Sequence, residues 1–145
     1  YHVEHADVLL ELGRFAEASA QLASALEIER LHHGEHTPNA RRGRYLLAEA
    51  HRGGRDLEAS IAVLESLVSE LSETPTQDPA MLARSQLWLG VTLAETGRDA
   101  NRARELVVTA RRVLAKLDPD SLLEAETWVR DNPRPRVSPA AVRGP

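Results

Sequence analysis

Thr37-Pro38-Asn39-Ala40-Arg41-Arg42-Gly43-Arg44-Tyr45-Leu46-Leu47-Ala48-Glu49-Ala50-His51-Arg52-Gly53-Gly54-Arg55 carries both of the marks that punctuate this chain. Threonine directly before proline opens a helix. Its side-chain oxygen accepts a free N–H of the first turn, and proline at the first helical position loses nothing because its missing N–H would be unpaired anyway. Glycine beside arginine closes the helix, since glycine takes the left-handed conformation at no steric cost. Working outward, the start mark returns at Asp78-Pro79 and Asp118-Pro119, and the stop mark at Gly13-Arg14 and Gly97-Arg98. The starts lie 41 and 40 residues apart and the stops 41 and 43. Alternation at this period predicts an internal repeat of helix, glycine turn, helix and proline-marked loop, each unit burying its apolar face only against its neighbours.

Helical spacing of apolar residues fills in the units. The first pair is predicted over 2–12 and 15–32, with Ala6, Leu9, Leu10, Ala18, Leu22, Ala25 and Ile28 facing inward. The second is predicted over 38–52 and 56–72, and the third over 79–96 and 99–117. A last helix over about 120–130 carries Leu122, Ala125, Trp128 and Val129, which would cover the open side of the third pair. It starts either at a Ser121/Glu124 capping box or earlier, at Asp118-Pro119. No proline falls inside these stretches, where one would cost about 3 kcal/mol. From Asn132 onward four prolines and few apolar residues predict a disordered tail, 132–145.

The chain has 145 residues, five aromatics, no cysteine and a net charge of −4. Its core must therefore be made of alanine and leucine between closely packed helices, which points to an all-α fold. Without cysteine there is neither a disulfide framework nor thiolate chemistry, in keeping with a reducing, cytoplasmic setting. No apolar run approaches the roughly 20 residues that cross a bilayer, so no membrane partner is expected. Tyr1 already sits inside a helical pattern, which reads as a piece of a longer polypeptide. Charge is uneven: residues 1–97 hold 8 basic and 15 acidic side chains, residues 98–145 hold 10 and 7.

Motifs of catalysis are thin. Gly53-Gly54 is not followed by the lysine of a phosphate loop, and neither a Gly-x-Ser-x-Gly nor a His-Glu-x-x-His occurs. His32, His33 and His36 cluster at a helix end, but without cysteine and with only Glu35 nearby they read as an inter-helix loop rather than a metal site. Arg104, Arg111, Arg112 and Lys116 crowd one helix, yet Glu105 and the acidic balance of the chain weigh against a phosphate-binding stripe. No enzyme, cofactor, metal or nucleic-acid role is expected.

The small residues resemble the tetratricopeptide repeat family. Gly13, Phe15, Ala18, Leu22 and Ala25 match its pattern in unit one, and Leu89, Gly90, Leu93, Gly97, Ala103 and Ala110 match it in unit three, with one extra residue after Gly97. In unit two Gly54 and Ala59 fit, Ser66 replaces the second alanine, Asp56 takes the aromatic place and the first helix looks one residue short. The long period and the loop His33–Pro38 are similar to the long-loop variety of kinesin light chains. The stretch from Gly97 through Trp128 is similar to the end of the repeat region of bacterial Ser/Thr protein kinases. The resemblance implies a right-handed superhelix of about three helical hairpins (1–33, 38–72, 79–117) with a capping helix, 120–131, and a protein or peptide partner, or a neighbouring domain, held on the face of the first helices. On that face Arg42, Tyr45, Glu49 and Arg52 share one side of their helix, and Arg84, Leu87 and Val91 share the equivalent side of the next. Together they are expected to form a basic and apolar channel for an extended or helical peptide. The expected function is a non-catalytic interaction module of a bacterial signalling protein, with a Ser/Thr kinase as first candidate. The alternative is a ligand-sensing or autoinhibitory repeat region of a transcriptional regulator or signalling ATPase.

Overall fold

The computed structural model describes residues 3–132, and the predicted disordered tail lies, from residue 133, outside them. The described residues form seven α-helices and no strand: α1 (Val3–Glu11), α2 (Phe15–His33), α3 (Pro38–Gly53), α4 (Leu57–Glu73), α5 (Pro79–Thr96), α6 (Ala100–Leu117) and α7 (Pro119–Asp131). The all-α expectation therefore holds. Each helix packs on the next in chain order, and α1 also touches α3 as α5 touches α7.

The start marks act as read. Thr37, Asp78 and Asp118 accept the N–H of Ala40, Met81 and Ser121 respectively, each with proline in the first turn. Asp118 thereby places the start of α7 at Pro119, the earlier of the two alternatives. Thr37 does more: its hydroxyl donates to Glu29 at 2.8 Å, which satisfies a carboxylate only 5% exposed on α2.

The stop marks need one correction. Gly13 is left-handed at φ 74° and closes α1 with Arg14 N–H to Leu9 C=O and Gly13 N–H to Leu10 C=O. In the second unit the same pair of bonds belongs to Asp56 and Arg55, reaching back to His51 and Arg52, and Arg55 is the left-handed residue at φ 65°. Gly54, at φ −78° and ψ 4°, caps the end of α3 without being left-handed. Helix α3 thus runs one residue further than the glycine mark implies, through Gly53. The left-handed residues Gly13, Arg55 and Gly97 are evenly spaced, 42 residues apart in both intervals.

That slip moves the register of α4. Ser60 and Leu67 are fully buried where Ala59 and Ser66 were expected, and Leu57, not Asp56, stands where Phe15 stands in α2. Asp56 instead caps α4 by accepting from Ala59 N–H. The Ser60 hydroxyl donates to Ala48 C=O at 2.9 Å, so a polar side chain satisfies itself at a close helix crossing. In the third unit the extra residue is absorbed by a second left-handed position, Asp99 at φ 53°. Gly90 meets α6 so closely that a Cβ there would lie 2.6 Å from Ala103 C=O and 2.8 Å from Val107 Cγ2.

The core is made of alanine and leucine, as the composition demands. Ala6, Leu9, Ala18, Leu22, Leu46 and Ala50 join α1, α2 and α3, while Leu64, Leu89, Leu93 and Ala103 join α4, α5 and α6. Ala125 of α7 is fully buried, and Leu122, Trp128 and Val129 lie with it over Leu87, Val107, Ala110 and Leu114. Ile28, expected to face inward, is 53% exposed; the buried position on that side of α2 is Glu29.

Candidate functional site

Small residues open a cleft among α1 to α5. Ala48, Gly53 and Ser60 leave a cleft of about 300 Å³, walled by Leu10, Phe15, Tyr45, Leu64 and Trp88 and bordered by Glu49 and Arg52. Phe15 seats its ring on Gly53, where a Cβ would come within 2.2 Å of the ring, so glycine there is a packing requirement. A second depression, of about 430 Å³, adjoins it between α5 and α7 and shares Arg52 and Trp88.

Of the residues expected to share a channel, Tyr45, Glu49 and Arg52 line the cleft, and Leu87 and Val91 touch the second depression. Leu87 is fully buried and Val91 is 7% exposed, both in the core against α6 and α7, so they form its floor rather than an open wall. The aromatic surface between the two depressions belongs to Trp88, one position along from Leu87. The spacing of Arg84, Leu87 and Val91 did not reach it, although Trp88 lies four residues after Arg84, on the same stripe.

The electrostatics differ from a basic channel. Arg42 pairs with Asp7 at 3.2 Å, and Arg84 pairs with Asp118 at 3.0 Å. Arg52 pairs with Glu95 at 2.7 Å and lies 4.5 Å over the Trp88 ring. Each arginine is thus matched by a carboxylate of a different helix or helix start. Glu49, in contrast, makes no ion pair or hydrogen bond among the described residues. Burial, with Asp7 and Glu124 nearby, raises its carboxyl above the ordinary range despite Arg42 and Arg52. Burial likewise raises Glu124, and burial together with Glu49 pushes the Tyr45 phenol up strongly. Asp7, Glu95, Trp88 and Glu124 enter this face only through tertiary packing.

The other clusters are engaged locally. His36 Nδ1 and Arg44 share Glu70 at 2.6 and 2.8 Å, and His33 lies 3.4 Å from Glu29. Among the described residues no group of three histidine or carboxylate side chains is placed to hold a metal ion. On α6, Arg102 pairs with Glu65 and Arg111 approaches Glu126, while Arg104 donates to Asn132 C=O. No helix among the described residues is long and apolar enough to cross a membrane.

No protein-family model matches the chain, and no curated protein matches it at a significant level.

Proposed function

We propose that the chain is a non-catalytic helical-repeat module of the tetratricopeptide type, with its hairpins stacked as a right-handed superhelix, and that it holds a peptide segment of a partner protein or neighbouring domain. The observation that carries this reading is the aromatic-walled cleft lined by residues of α1 to α5, continued toward α7 by the second depression. A row of depressions along successive repeats suits an extended chain, whose side chains enter in turn while its backbone runs across the helices. The evenly spaced left-handed turns and the small residues Ala18, Ser60 and Ala103 at the helix crossings support the family reading. The likeness of its closing segment to kinase-attached repeats supports a larger signalling protein, a Ser/Thr kinase first, as the parent.

The test is a random-peptide display selection on the isolated chain, followed by NMR mapping of the selected peptides. Shifts centred on Tyr45, Glu49 and the Trp88 indole are expected. Peptides that perturb none of the residues lining the cleft or the second depression, or a selection that enriches nothing, would overturn the assignment.

A further inference from the structure

We infer that the cleft receives one long cationic side chain, a lysine or arginine of a basic partner peptide, with Glu49 as its counter-charge and Tyr45, Phe15 and Trp88 as its walls. This deepens the peptide-binding reading and rests on it. Three observations converge. Every arginine on this face already has a carboxylate: Arg42 with Asp7, Arg52 with Glu95, Arg84 with Asp118. Glu49 alone borders the cleft with no such partner among the described residues, and Glu124 stands likewise unpaired on the second depression. Arg55 shares Glu95 with Arg52, so four arginines stand against the five carboxylates Asp7, Glu95, Asp118, Glu49 and Glu124, and the fixed charge left over is negative.

The walls suit the same guest. Three of the five aromatics of the chain line this cleft, and aromatic faces attract cations while tolerating the aliphatic stem of lysine or arginine. Trp88 already holds one guanidinium, that of Arg52, at 4.5 Å. Size decides between guests: about 300 Å³ is at the small end of ligand sites, room for one extended side chain and not for a helix. An apolar side chain would cover Glu49 and leave its carboxylate without water or partner, and an anionic one would add repulsion, so both are disfavoured. The raised carboxyl of Glu49 fits a group short of counter-charge.

The experiment is an NMR titration of the full chain with capped Gly-Ser pentapeptides bearing lysine, arginine, norleucine or glutamate at the centre. Lysine and arginine peptides are expected to shift the Trp88 indole saturably. The norleucine peptide should bind about tenfold more weakly, and the glutamate peptide should bind not at all. Glu49→Gln should cost the lysine peptide about tenfold, while Glu105→Gln, at an exposed position of α6, changes it less than about twofold. Equal binding of the lysine and norleucine peptides overturns the proposal without any protein variant, and so does an unchanged affinity in Glu49→Gln. Butylammonium binding as tightly as the lysine peptide would make a free amine the guest and overturn the peptide assignment. If display-selected peptides map to the cleft but are acidic and indifferent to Glu49→Gln, peptide binding stands and the cationic guest fails.

Discussion

Arg55 holds a left-handed backbone at a position occupied by glycine one unit earlier and one unit later. A side chain there costs roughly 1–2 kcal/mol of strain. Its ion pair with Glu95, at 3.4 Å and 70% exposed on the arginine side, returns little. Arg55→Gly removes the strain but frees the unfolded chain, at a cost of about 0.5–1 kcal/mol. A net gain of about 0.5–1 kcal/mol, read as a melting temperature higher by about 2–4 °C, is expected. The neighbouring glycine behaves differently. A Cβ on Gly54 meets only ordinary contacts, 3.4 Å to Ala50 C=O and 3.5 Å to Phe15 Cβ, so Gly54→Ala should be neutral or stabilising. Gly13→Ala, at φ 74°, should destabilise by about 1 kcal/mol. If Gly54→Ala proves the more harmful of the two, the turn is not placed as described.

At the scale of helices, close approach is what the small residues supply. Gly90 is the tightest case on α5, because the atom facing its missing Cβ is the backbone oxygen of Ala103 rather than the end of a flexible side chain. Gly90→Ala must push α5 and α6 apart. The helical propensity gained, about 1 kcal/mol, is smaller than the overpacking cost of about 1–3 kcal/mol. Urea unfolding should therefore show a net loss of up to about 2 kcal/mol, and a stabilised variant would mean that the two helices do not cross at Gly90. Cutting the chain before Pro119 tests the other end. Leu87, Val107, Ala110 and Leu114 would lose the cover of α7, and concentration-dependent association by light scattering is expected. A monomer with unchanged melting temperature would remove α7 from the core.

For the molecule as a whole, carboxylates pull stability in opposite directions with pH. Glu70 is desolvated, yet hydrogen bonds from Arg44 and His36 hold its carboxyl below the ordinary 4.5. Ser121, against burial and together with Arg84, holds Asp118 below 3.8. Their contributions are complete above the unfolded pKa values and are lost as pH falls through the folded ones. Glu49 has the reverse sign. Its folded pKa lies above 4.5 because burial comes first and Asp7 and Glu124 add to it. The native state holds that proton more tightly, so Glu49 costs stability above its folded pKa and costs nothing below the unfolded value. Glu49→Gln should be more stable than the parent at neutral pH, with the difference closing as pH falls toward 4.5. Urea titrations from about pH 4 to about pH 8 check this, and a gain that persists at the acid end would trace it to another cause.

Most helix boundaries were legible before any coordinates, since capping oxygen, proline and apolar period are local chemistry that each helix end carries with it. The second turn was not: two adjacent glycines, Gly53 and Gly54, leave local rules unable to choose the left-handed residue. The choice fell to Arg55 because Phe15 needs the bare face of Gly53 inside α3. The candidate site divides along the same line. Tyr45, Glu49 and Arg52 lie on one stripe of one helix and could be read in advance, whereas Asp7, Glu95, Trp88 and Glu124 reach them from three other helices. The sequence alone determined the all-helical, repeating architecture, because period and caps act over a few residues. Only the tertiary structure decided the charge of the face, because a carboxylate neutralises an arginine through space, whatever the distance between them along the chain.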